Sequence, residues 1–327
     1  MFKNRKVTVI IPALNEAPSI GLVISGLFAL EVCSCCHSSA HMDSGQSPEL
    51  EKHGSEKSIV GRNTRSEQAV MKLSRADNYC GSQCSNNCDQ SLVQLVDEVI
   101  VGDNGSTDDT ARIARACGAI VVAAPQRGYG SACLAALSAP VEMDLVAFVD
   151  GDHSVVPEEL HSLLEPLTEG ADLVIGSRTL GNCARGALSI PQRLGNRLAS
   201  ALMELLWGGQ VTDLGPFRAT THHALKQMQM SDKRFGWTVE MQIRSLQLSH
   251  KVVEIPVTTR ARIGKSKIGG TVKGVIGASH GILGMIARLY WRQVKAQLSE
   301  RLQLAARVGR KKNEVELTSI SKHRRPL

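Results

Sequence analysis

A chain of 327 residues with 43% hydrophobic residues is long enough to bury one large α/β core or two small ones. Aromatic residues make up only 3%, which excludes a protein that stacks bases or sugars on a broad aromatic platform. The net charge of +7 is concentrated towards the C-terminus, where residues 292–312 carry seven basic side chains. Such a segment either binds an anionic surface or stays solvated, and we predict no nucleic-acid partner.

Targeting signals are not apparent in the sequence. Residues 1–6 are short and basic, and the apolar run at 7–11 is too short for an export signal. The longest apolar stretch, 275–287, contains several glycines and His280 and does not reach the length of a membrane span. We therefore predict a cytoplasmic protein that can contact a membrane surface peripherally.

Short β-branched runs alternate with helical segments along the chain. Strands are predicted, in chain order, at residues 7–11, 96–101, 119–124, 145–149, 172–175 and 252–257. Helices are predicted between them at residues 17–30, 107–118, 131–137 and 157–168. Strands that are apolar on both faces and alternate with helices indicate an α/β fold, a mainly parallel sheet with helices on both faces.

Residues 31–95 interrupt this pattern. They are rich in Ser, Asn, Gln, His, Gly and Cys and show no sustained period. Six of the nine cysteines lie here, but their spacing differs from the Cys-x2-Cys pairs of common zinc sites, so composition favours a disordered insertion over a metal site. We accordingly assign residues 1–30 and 96–270 to one α/β domain, 31–95 to an insertion, and 271–327 to a C-terminal helical segment with a basic tail.

Polar groups follow the predicted strands at the edge where open parallel sheets bind ligands. Each one alone could be a loop residue or a helix cap, but together they predict a ligand site. The residues at the four strand ends are Asn15 and Glu16, Asp103, Asp150 and Asp152, and Ser177 and Arg178.

The sharpest local signal is Asp150-Gly151-Asp152. Two carboxylates separated by a glycine can turn towards one point and suit a hard cation such as Mg²⁺ or Mn²⁺, which would neutralise a diphosphate. His153 is interpreted as a solvated loop residue in preference to a third ligand.

Asp103 is a separate candidate for ligand binding. It precedes a glycine turn, is not explained by helix capping, and could accept hydrogen bonds from a ribose or base. Neither a dinucleotide-binding glycine motif nor a P-loop motif is present.

Three further motifs follow later in the sequence, at residues 212–218, 236–240 and 262–267. Together with residues 9–16, 103–110, 150–152 and 176–178, their order resembles family 2 inverting glycosyltransferases. The likeness is greatest to the branch that transfers mannose or glucose to dolichyl or polyprenyl phosphate. It covers about residues 6–30 and 96–290.

The resemblance implies a single-domain nucleotide-binding sandwich of the GT-A type. It also implies metal-dependent transfer of a hexose from a UDP- or GDP-sugar to an acceptor, namely a polyprenyl phosphate. The resemblance implies that Pro12, Leu14 and Glu16 line the nucleotide pocket and that Asp103 contacts the base or ribose. Asp150 and Asp152 would hold Mg²⁺ or Mn²⁺ and the sugar diphosphate, and Arg178 would contact a phosphate. Arg262 and Lys267 would lie on a flexible loop that closes over the diphosphate.

The sequence leaves open which acceptor is used, where the C-terminal segment packs and whether another function applies. A lipid phosphate needs no general base, whereas a hydroxyl acceptor needs a carboxylate, for which Glu240 is the candidate and Asp213 a weaker one. Residues 275–290, followed by basic residues, could form a helix on an anionic membrane, or pack on the domain or on a second subunit. Rival functions are a non-catalytic nucleotide-sugar scaffold and a nucleotidyltransferase. This sequence departs from the family pattern at His153-Ser154 and at Ala261, and the family has no counterpart to residues 31–95.

Overall fold

A seven-stranded sheet forms the centre of the computed structural model, which describes residues 2–33, 92–184, 189–209, 211–264, 277 and 280–303. Within these residues the strands are β1 (Val7–Ala13), β2 (Glu31–Cys33), β3 (Leu92–Gln94), β4 (Glu98–Asp103), β5 (Ile120–Ala123), β6 (Leu145–Phe148), β7 (Leu173–Ser177), β8 (Arg218–Thr221) and β9 (Val252–Pro256). The central sheet has the order β5-β4-β1-β6-β8-β7-β9.

Helices cover both faces of this sheet. They are α1 (Ile20–Phe28), α2 (Thr110–Ala116), α3 (Tyr129–Leu137), α4 (Leu160–Thr168), which a 3₁₀ turn at Pro157–Glu159 precedes, α5 (Ile190–Trp207), α6 (His222–Met228) and α7 (Trp237–Gln247). Residues 280–303 form a further helix, α8. The predicted α/β class is confirmed.

Most strand pairs of the central sheet are parallel, as predicted, and β8 is the exception within it. It runs antiparallel to both β6 and β7. Its first residue, Arg218, stands opposite Phe148 on one side and Ile175 on the other. The amino end of β8 therefore lies at the edge where β6 and β7 end. The sequence Arg-Ala-Thr-Thr has no apolar run, which is why this strand was not predicted.

The core divides between the two faces of the sheet because side chains alternate along each strand. On β1, Val9 and Ile11 pack in the cluster with α1 and α4, while Ile10 packs in the cluster with α3 and α7. A third apolar cluster joins α5, α7 and α8. On β4, Gly102 allows close packing of α3, since a Cβ there would lie 2.1 Å from the carbonyl oxygen of Ala132.

The two ends of the predicted insertion form a short antiparallel pair, in which Cys33 of β2 stands opposite Leu92 of β3. Val32 and Leu95 are buried in the same core cluster as β1. Residues 31–33 and 92–95 therefore pack with the α/β domain, and the ordered structure extends into the range predicted as an insertion. Residues 34–91 lie outside the described residues.

Within the described part of the chain, no helix combines the length and the hydropathy needed to cross a membrane. Helix α8 packs on the domain through Met285, Ile286 and Leu289, which are all buried in the cluster shared with α5 and α7. Packing on the domain is one of the three placements that the sequence left open for the C-terminal segment. The predicted basic tail beyond residue 303 lies outside the described residues.

Candidate active site

The predicted polar residues meet at one edge of the sheet. Strands β1, β4 and β6 are parallel neighbours, and Asp103 stands opposite Ala13 in the β1–β4 register. Asp150 follows β6 after one residue, Val149, on the other side of β1. Because neighbouring strands lie about 4.8 Å apart, Asp103 and Asp150 are separated by roughly two strand spacings at this edge.

Two loops are tied together on the β1–β4 side of this edge. The backbone N–H of Asn15 donates to the Ser106 hydroxyl at 2.9 Å, and the N–H of Glu16 donates to the Thr110 hydroxyl at 2.8 Å. The Asp103 carboxylate accepts the N–H of Ser106 at 3.1 Å. These contacts hold residues 104–109 as a loop, so α2 begins at Thr110 and not at residue 107 as predicted.

The three residues predicted for the nucleotide pocket, Pro12, Leu14 and Glu16, are all partly exposed at this edge. Gly151 lies close to the last of them, because a Cβ on this glycine would be 3.5 Å from Cγ of Glu16. The Ser19 hydroxyl donates to the carbonyl of Gly151 at 2.7 Å. The first loop therefore also borders the turn that carries the two aspartates.

The two aspartates sit in different hydrogen-bond environments. Asp150 accepts a hydrogen bond from the Tyr129 hydroxyl at 3.2 Å. Asp152 is 5% exposed; it accepts the N–H of Ser154 at 3.0 Å and pairs with Arg262 Nη1 at 3.1 Å. Burial and the charge of Asp152 raise the pKa of Asp150 to about 7, against the opposing effects of Arg262 and Tyr129. The site thus concentrates negative charge that a cation would relieve.

The donor set fits a hard divalent cation. Mg²⁺ and Mn²⁺ prefer oxygen ligands, and Mg²⁺ is commonly held by one or two carboxylates together with water and substrate phosphates. Asp150 and Asp152 supply two such carboxylates. No group of three or more His, Cys, Asp or Glu side chains suited to a metal occurs among the described residues. Further ligands would therefore come from water and from the phosphates of a bound nucleotide.

Arg178 is fixed at the end of β7 by a buried carboxylate. Asp213 accepts three hydrogen bonds from it, from the backbone N–H at 2.8 Å, from Nε at 2.8 Å and from Nη2 at 2.7 Å. The Asp213 side chain is 1% exposed and that of Arg178 is 18% exposed. This two-pronged pairing fixes the plane of the guanidinium group. Both carboxylate oxygens of Asp213 are occupied by this arginine.

The chain after β9 forms one wall of the site. Thr259 makes isolated bridges with Val155 on one side and Cys183 on the other. The N–H of Arg260 donates to the carbonyl of Ser154 at 2.8 Å. This segment therefore runs alongside the loop that follows the two aspartates, and it delivers Arg260 and Arg262 to the site.

A pocket opens between this wall and the ends of β6 and β7. Asp150, Arg178 and Arg262 are the predicted site residues that line it. The described site residues outside this lining are Pro12, Leu14, Glu16, Asp103, Asp152 and Glu240. Lys267, predicted for the same loop as Arg262, lies outside the described residues. The lining residues are Asp150, Ser154, Val155, Gly176, Arg178, Gln192, Pro216, Phe217, Val257, Thr258, Thr259, Arg260 and Arg262.

Glu240 is placed away from the pocket, in the first turn of α7, and is fully buried. One of its carboxylate oxygens accepts the backbone N–H groups of Ser231 and Asp232, at 3.0 and 2.6 Å. The other accepts the Ser231 hydroxyl at 2.6 Å and lies 3.8 Å from Arg244. The structure therefore does not bring this predicted general base together with Asp150 and Arg178.

Comparison with known proteins identifies the family. The family model described as glycosyl transferase family 2 matches residues 86–227. An uncharacterized glycosyltransferase of Mycobacterium tuberculosis is 36% identical over 180 residues, which are 54% of this chain and 80% of that protein. This chain belongs to glycosyl transferase family 2.

Two further matches connect this family 2 glycosyltransferase to its predicted branch and fold. The undecaprenyl-phosphate mannosyltransferase of Micrococcus luteus is 28% identical over 216 residues, 64% of this chain and 88% of that enzyme. The crystal structure of glucosyl-3-phosphoglycerate synthase from Mycobacterium tuberculosis, in complex with Mn²⁺, UDP and glucosyl-3-phosphoglycerate, has a TM-score of 0.53 at 22% identity, covering 86% of this chain and 79% of the other. The predicted family, branch and GT-A-type fold are confirmed.

Sequence reasoning missed two residues that support the site of this family 2 glycosyltransferase. Tyr129 lies within the Gly-Tyr-Gly turn that opens α3 and donates to Asp150. Arg218 is fully buried and donates to the carbonyls of Gly215 and Thr238, the latter at 3.0 Å. Burial lowers the pKa of its guanidinium group to about 10. It secures the loop that carries Pro216 and Phe217 into the pocket wall.

Proposed function

We propose that this glycosyltransferase moves a hexose from a UDP- or GDP-sugar to a polyprenyl phosphate, with inversion at the anomeric carbon. Asp150 and Asp152 would hold Mg²⁺ or Mn²⁺ and the sugar diphosphate. The observation that carries the proposal is the pocket itself, where Asp150 faces Arg178, Arg260 and Arg262. Three cations in one pocket can accommodate the phosphates of a donor and of an anionic acceptor.

The positions of the carboxylates favour one class of acceptor. A hydroxyl acceptor requires a general base within hydrogen-bond reach of its proton. Asp150 is the carboxylate among the described lining residues, and the proposed cation would occupy it. Glu240 lies outside the lining, and Asp213 is bound on both oxygens to Arg178. A phosphate oxygen is already anionic and needs no base, which favours a phosphate acceptor. The similarity to a protein named undecaprenyl-phosphate mannosyltransferase also supports this choice.

In the proposed reaction, an acceptor phosphate oxygen attacks the anomeric carbon in line with the departing nucleoside diphosphate. The new bond joins the anomeric carbon to the acceptor phosphate, and the bond from that carbon to the diphosphate oxygen breaks. Arg262, held beside Asp152, would stabilise the charge that develops on the leaving diphosphate. Arg178, held by Asp213, would contact the acceptor phosphate. A bound cation supplies additional charge neutralisation of the diphosphate. On the β1–β4 side, Glu16 and Asp103 are the residues we propose for the ribose and base.

The direct test is to incubate the purified protein with UDP-glucose or GDP-mannose, Mn²⁺ or Mg²⁺, and a short-chain polyprenyl phosphate. We expect a polyprenyl phosphate hexose, detected by mass spectrometry, with the anomeric configuration opposite to that of the donor. Asp152→Ala should abolish transfer, because it removes one of two metal ligands. Glu142→Gln is a matched control, since this carboxylate is 85% exposed and remote from the pocket.

Different failures of this test have different meanings. Transfer to a hydroxyl acceptor but not to the lipid phosphate would refute the acceptor class. A product with retained configuration would refute the in-line displacement. Release of inorganic pyrophosphate would indicate the nucleotidyltransferase alternative. Donor binding without turnover, equal in wild type and Asp152→Ala, would indicate the scaffold.

A further inference from the structure

Exposed apolar side chains are concentrated on two helices. Of the twelve large hydrophobic residues that are exposed in the described part of the chain, four lie on α5 and four on α8. Scattered single hydrophobics on a surface are normal, but a row of them along one helix marks an interaction surface. The residues are Ile190, Leu194, Leu198 and Leu205 on α5, and Leu283, Trp291, Leu298 and Leu302 on α8.

The four residues of α5 lie on one side of the helix. Ile190, Leu194 and Leu198 follow each other at intervals of four residues, and Leu205 falls two turns further on the same side. They are between 51% and 78% exposed. We call this row, residues 190, 194, 198 and 205, the outer face of α5.

The opposite side of α5 belongs to the enzyme core and to the pocket. Ala199 and Met203 are fully buried in the cluster with α7 and α8. Gln192 lines the pocket, and Asn196 is hydrogen-bonded to the loop that follows α5, donating to Thr212 at 3.1 Å and accepting from Leu214 at 2.8 Å. One helix thus separates the pocket from an apolar outer surface.

Charge distinguishes between the occupants that could cover the outer face. Arg193 and Arg197 are exposed beside Leu194 and Leu198, whereas the single acid of the helix, Glu204, lies near its far end. A second copy of this chain packed about a two-fold axis near Arg193 and Arg197 would bring these arginines towards each other. An anionic lipid surface would instead pair phosphate groups with the arginines and acyl chains with the leucines.

We propose that the outer face of α5 rests on an anionic lipid surface, which holds the pocket about one helix diameter, roughly 10–12 Å, from that surface. This inference rests on the proposed lipid-phosphate acceptor and extends it, because it states how the acceptor is delivered. Gln192, in the first turn of α5, lines the same pocket as Arg178. The head group of a lipid anchored in the same surface would therefore pass this turn to reach Arg178.

Helix α8 supports the same environment. Its exposed row contains Trp291, a residue type typical of membrane interfaces, and basic residues flank it at Arg292 and Lys295. The contacts of Trp207 at the end of α5 with Tyr290 and Gln293 join the two helices. Two neighbouring helices therefore each bury one apolar side in the protein and expose another.

The test is flotation of the full-length protein with vesicles of phosphatidylcholine containing about one quarter phosphatidylglycerol. We expect the wild type to float at about 50 mM salt and less at about 500 mM salt. Leu194→Glu/Leu198→Glu should reduce the vesicle-bound fraction at least tenfold, because it places charges where acyl chains would lie. Leu22→Glu/Leu248→Glu is the matched control, since these leucines, on α1 and directly after α7, are 55% and 45% exposed. It should float like the wild type.

Thermal unfolding first establishes that both double variants fold. Flotation of Leu194→Glu/Leu198→Glu at the wild-type level, or no flotation of the wild type, would overturn the inference. So would a wild-type dimer in light scattering that the same substitutions dissociate while flotation is unaffected, because a second copy would then cover the face.

A second assay separates this inference from the proposed function. With a short-chain polyprenyl phosphate in detergent, Leu194→Glu/Leu198→Glu should transfer hexose at the wild-type rate. With the acceptor embedded in vesicles, its rate should fall at least tenfold. Absence of transfer by the wild type in detergent would refute the proposed function and leave the flotation result standing on its own.

Discussion

Removing the charge of Asp213 tests how the structure holds Arg178. Asp213→Asn keeps the shape of the side chain but leaves a largely buried guanidinium group without its carboxylate. Breaking a buried ion pair by removing one partner destabilises a protein by about 3–5 kcal/mol. Arg178 keeps an 18% exposed side chain, and the asparagine oxygen can still accept the two hydrogen bonds that share one oxygen of Asp213, so we expect the lower limit, about 3 kcal/mol.

Urea unfolding followed by tryptophan fluorescence would measure this change in the free energy of unfolding. In thermal unfolding it corresponds to a fall in Tm on the order of 6–12 °C. Combining Asp213→Asn with Arg178→Gln should recover part of the loss, because neither charge is then left unpaired, with a coupling energy of about 2 kcal/mol.

The chain offers an exposed pair of the same chemistry as a control. Arg112 donates to Asp109 at 3.0 Å, but the two side chains are 71% and 62% exposed. Asp109→Asn should change the free energy of unfolding by less than about 1 kcal/mol. If Asp213→Asn had no larger effect than Asp109→Asn, or if the double variant were simply additive, the argument from burial would be refuted.

Three further substitutions test other parts of the site. Tyr129→Phe removes the hydrogen bond to Asp150, and we expect Mn²⁺ affinity, measured by calorimetric titration, to fall about 10- to 100-fold. Glu240→Gln should lower the free energy of unfolding by about 1–2 kcal/mol but reduce kcat less than tenfold, since a true general base would contribute about 10²- to 10⁴-fold. Gly102→Ala should destabilise the fold by more than about 2 kcal/mol in urea unfolding, because its methyl group would overlap the carbonyl of Ala132.

Each of these has a matched comparison. Tyr290→Phe, on α8, should leave Mn²⁺ affinity unchanged, and equal affinities for both tyrosine variants would contradict the role of Tyr129. A loss of kcat above about 100-fold in folded Glu240→Gln would restore the general-base hypothesis. Gly195→Ala on α5, where a Cβ meets no atom within 4 Å, should stabilise the protein by about 0.5–1 kcal/mol.

The parallel part of the fold was predictable because its strands carry an unambiguous signal. The buried runs that became β1, β4, β6 and β7 are almost wholly aliphatic, and each ends at a polar group. Their alternation with helices fixes the edge at which those polar groups gather. The same logic predicts that Asp150 and Arg178 lie near each other, and both line the pocket.

The remaining part depends on contacts between residues far apart in the chain. Asp213 pairs with an arginine 35 positions away, and no local pattern indicates that partner. Arg218 was invisible as a core residue because buried arginines are rare and short polar strands resemble loops. Glu240 became a candidate base through its place in the motif at residues 236–240. Only the fold shows that the neighbouring N–H groups of Ser231 and Asp232 already donate to it.

The β2–β3 pair has a consequence for the evolution of this chain. Since Cys33 and Leu92 stand side by side, the chain departs from the domain and rejoins it at neighbouring points. A tight turn and a stretch as long as 34–91 satisfy the same anchoring geometry. Sequence can therefore be gained or lost there without shifting the register of the central sheet or the spacing of the catalytic edge.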